Sequence, residues 1–142
     1  MILLDTNVIS DPLKVKPDIQ VTEWLDNQIA ETLFLSTISL AELYSGIAVM
    51  ADGKRKALLK KQLEEVILPV FEGRILSFDQ IAAEKYAQIK AKAKKQGRAI
   101  GVADGYIAAI ACANNLSVAT RDISPFDAAG LDVINPWNSK QK

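Results

Sequence analysis

The sequence predicts an α/β fold: a three-layer α/β/α sandwich around a five-stranded parallel sheet. Short apolar runs of strand length alternate along the chain with longer segments of helical periodicity. Strands that alternate with helices pair in parallel through right-handed crossovers, which places helices on both faces of the sheet. The length of 142 residues fits one domain. We place that domain at residues 1–137 and expect a short polar tail at 138–142.

The predicted strands are short apolar runs, each bounded by polar or turn-forming residues. The first opens the chain, and the last two lie close together near its end. The five predicted strands are residues 2–4, 33–36, 74–78, 117–120 and 132–134.

The first two helices are predicted from capping residues and apolar spacing. One begins at Pro17 or Asp18, because proline suits the first turn and aspartate caps it. The next begins at Ser39, with Glu42 three residues later completing a capping box. The apolar stripe of this second helix is assigned mainly to core packing and otherwise to docking of a protein partner. The expected core positions of the two helices are Ile19, Val21, Trp24, Leu25, Ile29, Leu40, Leu43, Ile47 and Val49.

Three further helices follow. Residues 54–68 form one that Pro69 is expected to stop, and residues 79–96 form one that Gly97 ends. The helix at residues 101–114 is unusually apolar, so we expect it in the interior.

Composition excludes several kinds of chemistry. The chain has no histidine, which rules out an imidazole base and a histidine-ligated metal. Its one cysteine, Cys112, lies in an apolar run and is interpreted as a core residue. Any bound metal must therefore be held by oxygen ligands, which favours a hard cation such as Mg²⁺ or Mn²⁺.

Charge and hydropathy leave the class of partner open. The chain carries 17 basic and 17 acidic residues, so only local clustering of charge can indicate a partner. The apolar run at the amino terminus is too short for a signal peptide, and no run reaches membrane-spanning length. We therefore expect a cytoplasmic protein that does not contact a membrane.

Four acidic residues are predicted to meet at one edge of the sheet. Ligands of parallel α/β sheets bind beyond the carboxyl ends of the strands. Asp5 and Asp122 follow the first and fourth strands, while Glu42 and Asp104 are placed in the first turns of neighbouring helices.

Each of these acids also has a structural interpretation. Asp5 and Asp122 precede possible helices and would serve as caps. Glu42 fits the capping box. Asp104 has apolar neighbours, and a buried acid is rare unless it is paired or binds a metal.

Taken together, four converging carboxylates would repel one another unless a divalent cation lies between them. Such a cation can lower the pKa of a bound water and offset the charge of a phosphate, which predicts hydrolysis of phosphodiesters by metal-activated water. Short polar side chains near the pocket are expected to support the ligands or contact substrate, with ordinary capping as the alternative. They are Thr6, Asn7, Ser39 and Thr120.

A basic run leads into the helix that carries Asp104. This run contains no acid and could guide a phosphodiester backbone towards the pocket, or could simply be a solvated helix end whose cations suit the helix dipole. Its members are Lys90, Lys92, Lys94, Lys95 and Arg98. A second basic cluster at residues 54–61 is followed by acids and is interpreted mainly as a solvated face, with contact to the substrate backbone as the alternative.

In their order and spacing, the motifs that carry these residues resemble those of the PIN-domain ribonucleases, specifically the VapC-type toxins. The motifs are the segments 5–7, 42–46, 104–109 and 120–122. The resemblance extends from Ile2 to Trp137, and segments 4–10 and 133–137 are most similar to the FitB branch.

This resemblance implies an Mg²⁺- or Mn²⁺-dependent endoribonuclease that is the toxin of a type II toxin–antitoxin pair. The substrate would then be RNA, and Lys92, Lys94, Lys95 and Arg98 are its candidate contacts. It implies a homodimer, and a cognate antitoxin that inserts a segment into the acidic pocket. Contact with DNA would be indirect, through the antitoxin.

Two alternatives remain at this stage. A haloacid-dehalogenase-like phosphotransferase would use Asp5 as a nucleophile, but it needs an acid at position 7, which is asparagine. The second alternative is a non-catalytic subunit of a toxin–antitoxin complex that binds DNA.

Overall fold

A five-stranded parallel sheet forms the centre of the computed structural model, which describes the backbone of residues 1–141 and the side chains of residues 1–138. Every strand pair is parallel, and the strand order is β3-β2-β1-β4-β5. The strands are β1 (Ile2–Leu4), β2 (Leu33–Ser36), β3 (Ile75–Leu76), β4 (Ser117–Ala119) and β5 (Val133–Ile134). The predicted sheet is confirmed, although β3 is shorter than the sequence suggests.

Helices connect the strands, and several short ones lie between the longer ones. The helices are α1 (Thr6–Ser10), α2 (Ile19–Asp26), α3 (Thr37–Ala48), α4 (Lys54–Gln62), α5 (Leu68–Val70), α6 (Gln80–Lys95), α7 (Val102–Ala113) and α8 (Ile123–Ala128). A π-helical turn (Leu63–Ile67) joins α4 to α5, and 3₁₀ turns lie at Asp11–Leu13, Ala30–Thr32 and Pro136–Gln141.

The sheet separates two apolar cores. Neighbouring residues of a strand face opposite sides, so Leu3 packs into the core that contains α7, while Leu4 packs into the core that contains Val8 of α1. Both leucines are fully buried. Helices therefore cover both faces, which confirms the three-layer sandwich, and α7 is interior as predicted, with Ile107 and Ile110 inaccessible to solvent.

The start of α3 differs from the prediction. The helix begins at Thr37, and the hydroxyl of Ser36 caps it by accepting a hydrogen bond from the backbone N–H of Ser39 at 3.1 Å. Ser39 is therefore the third residue of the helix, and Glu42 lies in its second turn. The predicted capping box is wrong because β2 runs directly into the helix.

Other local predictions are also wrong. Pro69 does not stop the helix before it, because it occupies the first turn of α5, where its missing N–H needs no partner. Three apolar side chains predicted as core are exposed: Ile19, Ile29 and Val49. They lie at or beyond helix ends, where periodicity no longer fixes which side faces the sheet.

The end of the chain packs onto the domain. The turn Pro136–Gln141 crosses the predicted boundary between residues 137 and 138, and Trp137 packs against the α2 side of the sheet. The division into domain and tail stays a prediction, and Lys142 lies outside the described residues. Among the helices that the structure describes, none is long and apolar enough to cross a bilayer.

Candidate metal centre

Four acidic residues approach one another at the carboxyl edge of the sheet. β1 lies between β2 and β4, so the segments that follow these three strands emerge side by side. Asp5 follows β1, Asp122 follows β4, and Glu42 lies on α3, which follows β2. Asp104 lies in the first turn of α7. The strand order thus explains how residues more than a hundred positions apart come together.

Asp5 is the most buried of the four acids, with an exposed fraction of 5%. Its Oδ1 accepts a hydrogen bond from the N–H of Thr6 at 2.8 Å, and its Oδ2 accepts one from the hydroxyl of Thr120 at 2.8 Å. Burial raises the pKa of this carboxyl from 3.8 to about 6, against the lowering effect of these two hydrogen bonds. Repulsion from Asp104 and Glu42 adds to the increase.

Thr6 connects Glu42 to the segment after β1. Its Oγ1 lies 2.6 Å from Glu42 Oε1 and 3.0 Å from the Oγ of the buried Ser39. A hydroxyl has one proton and a carboxylate only accepts, so Thr6 donates to Glu42 and Ser39 can donate to Thr6. The hydroxyl of Thr6 therefore orients an acid that belongs to a different element.

Thr120 has the corresponding place between Asp5 and Asp122. This residue is fully buried, and besides donating to Asp5 it accepts a hydrogen bond from the N–H of Asp122 at 3.0 Å. The side-chain amide of Asn7 lies 3.5 Å from the same oxygen, while Asn7 Oδ1 accepts from the N–H of Arg121 at 3.3 Å. The four predicted polar residues thus all contact the acid-bearing segments.

Asp104 completes the group electrostatically. Partial burial raises the pKa of its carboxyl, and repulsion from Asp122 and Glu42 raises that pKa further. Together with the repulsion at Asp5, this links all four acids through their charges.

No described lysine or arginine lies within 4 Å of a carboxylate of this group; the three ion pairs among described side chains all involve other acids. Arg121, the neighbour of Asp122 in sequence, places its guanidinium 5.2 Å from the ring centre of Trp137. Among the described side chains, therefore, no nearby cation balances the negative charge of the four acids.

The donor chemistry fits a hard divalent cation, since every acid offers oxygen and the acids repel one another. As placed, however, no three acidic, histidine or cysteine side chains within the described residues are arranged to hold a metal ion. In this arrangement both oxygens of Asp5 and one oxygen of Glu42 accept hydrogen bonds from protein donors.

The structure supports the predicted capping role for only one of the acids. Asp5 does cap α1 through the N–H of Thr6. The side chain of Asp122 makes no capping hydrogen bond to α8. Capping therefore explains one oxygen of Asp5, and it explains neither Asp122 nor Glu42.

The predicted basic run is partly engaged elsewhere. Arg98 pairs with Asp127 at 3.2 Å and donates to the carbonyl of Ser124, and Lys90 donates to the carbonyl of Ile100 at 2.7 Å. These two side chains and Lys94 line a cleft whose walls include none of the four acids.

Two basic residues share a groove with part of the centre: Lys14, which sequence reasoning did not select, and Arg55, which it assigned to a solvated basic cluster. Lys14 and Arg55 line the same groove as Glu42 and Thr6. Nothing in their local sequence signals this, because the groove forms only when α4 packs beside the segment that follows α1.

Comparison with known proteins identifies relatives over the whole length of the chain. The sequence profile of the PIN domain matches residues 2–131. Toxin FitB of Neisseria gonorrhoeae is 53% identical, over 97% of this chain and 99% of its own length. VapC ribonuclease Y4jK of Sinorhizobium fredii is 55% identical over 96% and 98%. Plasmid stability protein StbB of Pseudomonas syringae is 54% identical over 98% and 100%.

Solved structures agree with this result. The FitAcB structure from Neisseria gonorrhoeae superposes with a TM-score of 0.94 at 53% identity, covering 97% of this chain and 99% of the other. VapBC2 from Rickettsia felis, bound to a DNA fragment from its promoter, gives a TM-score of 0.78 at 28% identity, covering 95% and 98%.

Proposed function

The chain belongs to the PIN-domain family, and from that premise we propose that it is an Mg²⁺- or Mn²⁺-dependent endoribonuclease acting as the toxin of a toxin–antitoxin pair. One observation carries the proposal. Four carboxylates from four separate segments meet at one sheet edge, where burial and the charges of the neighbouring acids raise the pKa of Asp5 and of Asp104, and no described lysine or arginine lies within 4 Å to neutralise them. Relatives named as a VapC ribonuclease and a tRNA(fMet)-specific endonuclease each align with 96% of this chain.

Each acid has a defined part in this proposal. Asp5, Glu42, Asp104 and Asp122 would hold the metal, which when bound activates a water and neutralises charge on the phosphate. Thr120 and Thr6 fix the directions of Asp5 and Glu42 through hydrogen bonds of 2.8 and 2.6 Å. The hydroxyls thus limit the freedom of the acids before substrate arrives.

The partners follow from the named relatives. FitB is described as a toxin, and the solved relatives include toxin–antitoxin complexes bound to DNA. For this chain we propose a cognate antitoxin that covers the acidic centre, a homodimeric assembly, and contact with DNA only through the antitoxin.

Replacement of single acids tests the catalytic assignment. Asp104→Asn and Asp5→Asn should each abolish cleavage of RNA in Mg²⁺ or Mn²⁺, because each removes a negative ligand while keeping the shape of the side chain. Cleavage by antitoxin-free protein is followed on labelled RNA, with EDTA in a parallel series. Circular dichroism reports whether the variants fold.

The matched control is Asp52→Asn, which removes an exposed carboxylate paired with Lys56. Loss of such a surface pair costs little, so this variant should cleave at the wild-type rate. Undiminished cleavage by Asp104→Asn would contradict the proposal. Absence of metal-dependent cleavage in the wild type, across several RNAs, would instead support the non-catalytic subunit.

The phosphotransferase alternative loses its structural basis. Position 7, where that chemistry needs a second acid, is an asparagine whose Oδ1 accepts from the backbone of Arg121 and whose amide faces Thr120. The family match over residues 2–131 favours the nuclease as well.

A further inference from the structure

A groove beside Glu42 contains two basic residues on the same surface as part of the acidic centre. The groove has a volume of about 400 Å³ and runs between the segment after α1 and the helices α3 and α4. Thr6 and Glu42 of the centre line it together with Lys14 and Arg55. The same depression thus connects the acids to positive charge.

Arg55 is held in place with most of its hydrogen-bonding capacity unused. One guanidinium nitrogen of Arg55, which lies on α4, donates a hydrogen bond to the carbonyl of Leu13 on the opposite wall of the groove. This bond fixes the position of the Arg55 side chain. No described carboxylate lies within 4 Å of Arg55. Since a guanidinium offers five N–H donors in a plane, the remaining donors suit a phosphate.

Lys14 is a weaker candidate contact in the same groove. Its Nζ lies 3.2 Å from Oδ1 of Asp11, a buried carboxylate whose other oxygen accepts from the N–H of Asp18 at 2.8 Å. Asp11 therefore offsets part of the charge of Lys14, although more than half of the Lys14 side chain is exposed.

We propose that this groove binds the phosphate backbone of the RNA strand beside the cleavage point, with Arg55 as the main contact and Lys14 as the second. The inference rests on the proposed ribonuclease function. A polyanion must approach four carboxylates, and cations in the adjoining groove offset that repulsion. Because the net charge of the chain is zero, only a local cluster of cations can attract the RNA backbone to this site.

The other depressions are less suited to a phosphate chain. A wider groove of about 740 Å³ on the other side of Glu42 is lined by Ile38, Ala41 and Tyr106, and no basic residue is among its lining residues. The cleft formed by Lys90, Lys94 and Arg98 shares no wall with any of the four acids.

The test measures RNA binding without cleavage. In the Asp104→Asn background with Mg²⁺, fluorescence anisotropy of a 5′-labelled oligouridylate gives Kd at several KCl concentrations. Arg55→Gln should weaken binding about tenfold, as expected for one charge-assisted contact. It should also reduce the slope of log Kd against log salt by about 0.7, the value for one phosphate contact on a single strand.

Matched variants separate charge from folding. Lys54→Gln removes a neighbouring exposed charge of α4 that does not line the groove, so its Kd and slope should stay at the values of the Asp104→Asn parent. Arg55→Lys keeps the charge and should keep most of the slope. An Arg55→Gln protein with an unchanged melting temperature, Kd and slope would overturn the inference.

Two further outcomes would also overturn it. One is a loss of slope only when Lys92, Lys94 and Lys95 are replaced together. The other is an Arg55→Gln protein that binds RNA normally but no longer binds an acidic protein partner. Cleavage of RNA by the wild-type protein is assayed in parallel and tests the proposed ribonuclease function by itself. If the wild type cleaves RNA but Arg55→Gln binds it normally, only the assignment of the groove fails.

Discussion

At the scale of single residues, the charge of Asp5 opposes folding when no cation is bound. Asp5 as a residue is only 5% exposed, and the pKa of its carboxyl rises from 3.8 to about 6 because of burial. The folded protein therefore binds this proton more tightly than the unfolded chain does. The stability from Asp5 is complete below about pH 4 and is lost as the pH rises through 6.

The variant Asp5→Asn tests whether ionisation of Asp5 lowers the stability of the fold. EDTA keeps divalent cations away from the carboxylates. The variant keeps a neutral side chain at every pH, so its stability relative to wild type should increase between pH 4 and 6 and then level off. The upper limit is about 3 kcal/mol, the free energy of a two-unit shift in pKa. Melting temperatures of both proteins across this pH range check the prediction, and a constant difference would show that Asp5 is ionised without cost.

The sequence predicts which acids meet, but not how they are held. The rule that ligands bind at the carboxyl ends of parallel strands was enough to select Asp5 and Asp122. The hydrogen bond from Thr6 to Glu42 spans 36 residues and depends on side-chain rotamers, which local patterns do not encode. The roles of these residues in catalysis remain predictions.

At the scale of elements, the packing of α6 against α7 depends on one glycine. A Cβ at Gly105 would lie 2.8 Å from Cε1 of Tyr86, so the tyrosine ring rests directly on the backbone of α7, one residue beyond Asp104. The same ring contacts Tyr106 at a centroid distance of 4.9 Å. Close helix packing thus adjoins the acidic centre.

Gly105→Ala should destabilise the protein by about 1–3 kcal/mol, because the added methyl group overpacks this contact. Gly46→Ala is the matched control, since Gly46 lies inside α3 with nothing within 4 Å of its Cβ position. That change should stabilise the protein by about 0.5–1 kcal/mol, the helix preference of alanine over glycine. Urea denaturation measures both, and equal effects would show that Tyr86 simply moves aside.

Element boundaries were predicted less well than element types. The cap of α3 shows why: the sequence predicts Ser39 as the capping residue, whereas Ser36 caps the helix in the structure. Both serines precede an apolar stripe, and only the direct passage of β2 into the helix decides between them. The short helices α1 and α8 follow their strands so closely that they present no helical period of their own.

At the scale of the whole molecule, the unbalanced acids predict that a cation stabilises the fold. Mg²⁺ should raise the melting temperature at neutral pH, by an amount that corresponds to about 2.7 kcal/mol at a hundredfold excess over its Kd. Calorimetry with Mg²⁺, against NaCl at equal ionic strength, checks this. A melting temperature that is the same in both salts would contradict the prediction, and Asp5→Asn should respond less than wild type.

The topology was predictable because it follows from the order of strands and helices. Which basic side chains lie beside the acids on the folded surface was not predictable. Lys14 and Arg55 share a groove only after the segments of residues 11–13 and 54–62 pack together. The basic run at residues 90–98 was visible in sequence because its charges are consecutive, yet its cleft lies apart from the acids.

The pairing of β1 with β4 has a consequence for synthesis of the protein. Ile2 pairs with Ser117 and Leu4 with Ala119, so one edge of the first strand stays open until residues 117–119 have been made. Asp122 follows immediately. Most of this polypeptide can therefore emerge from the ribosome before the four acids can meet, and if they are the catalytic centre as proposed, a nascent chain that ends before β4 would not cleave RNA.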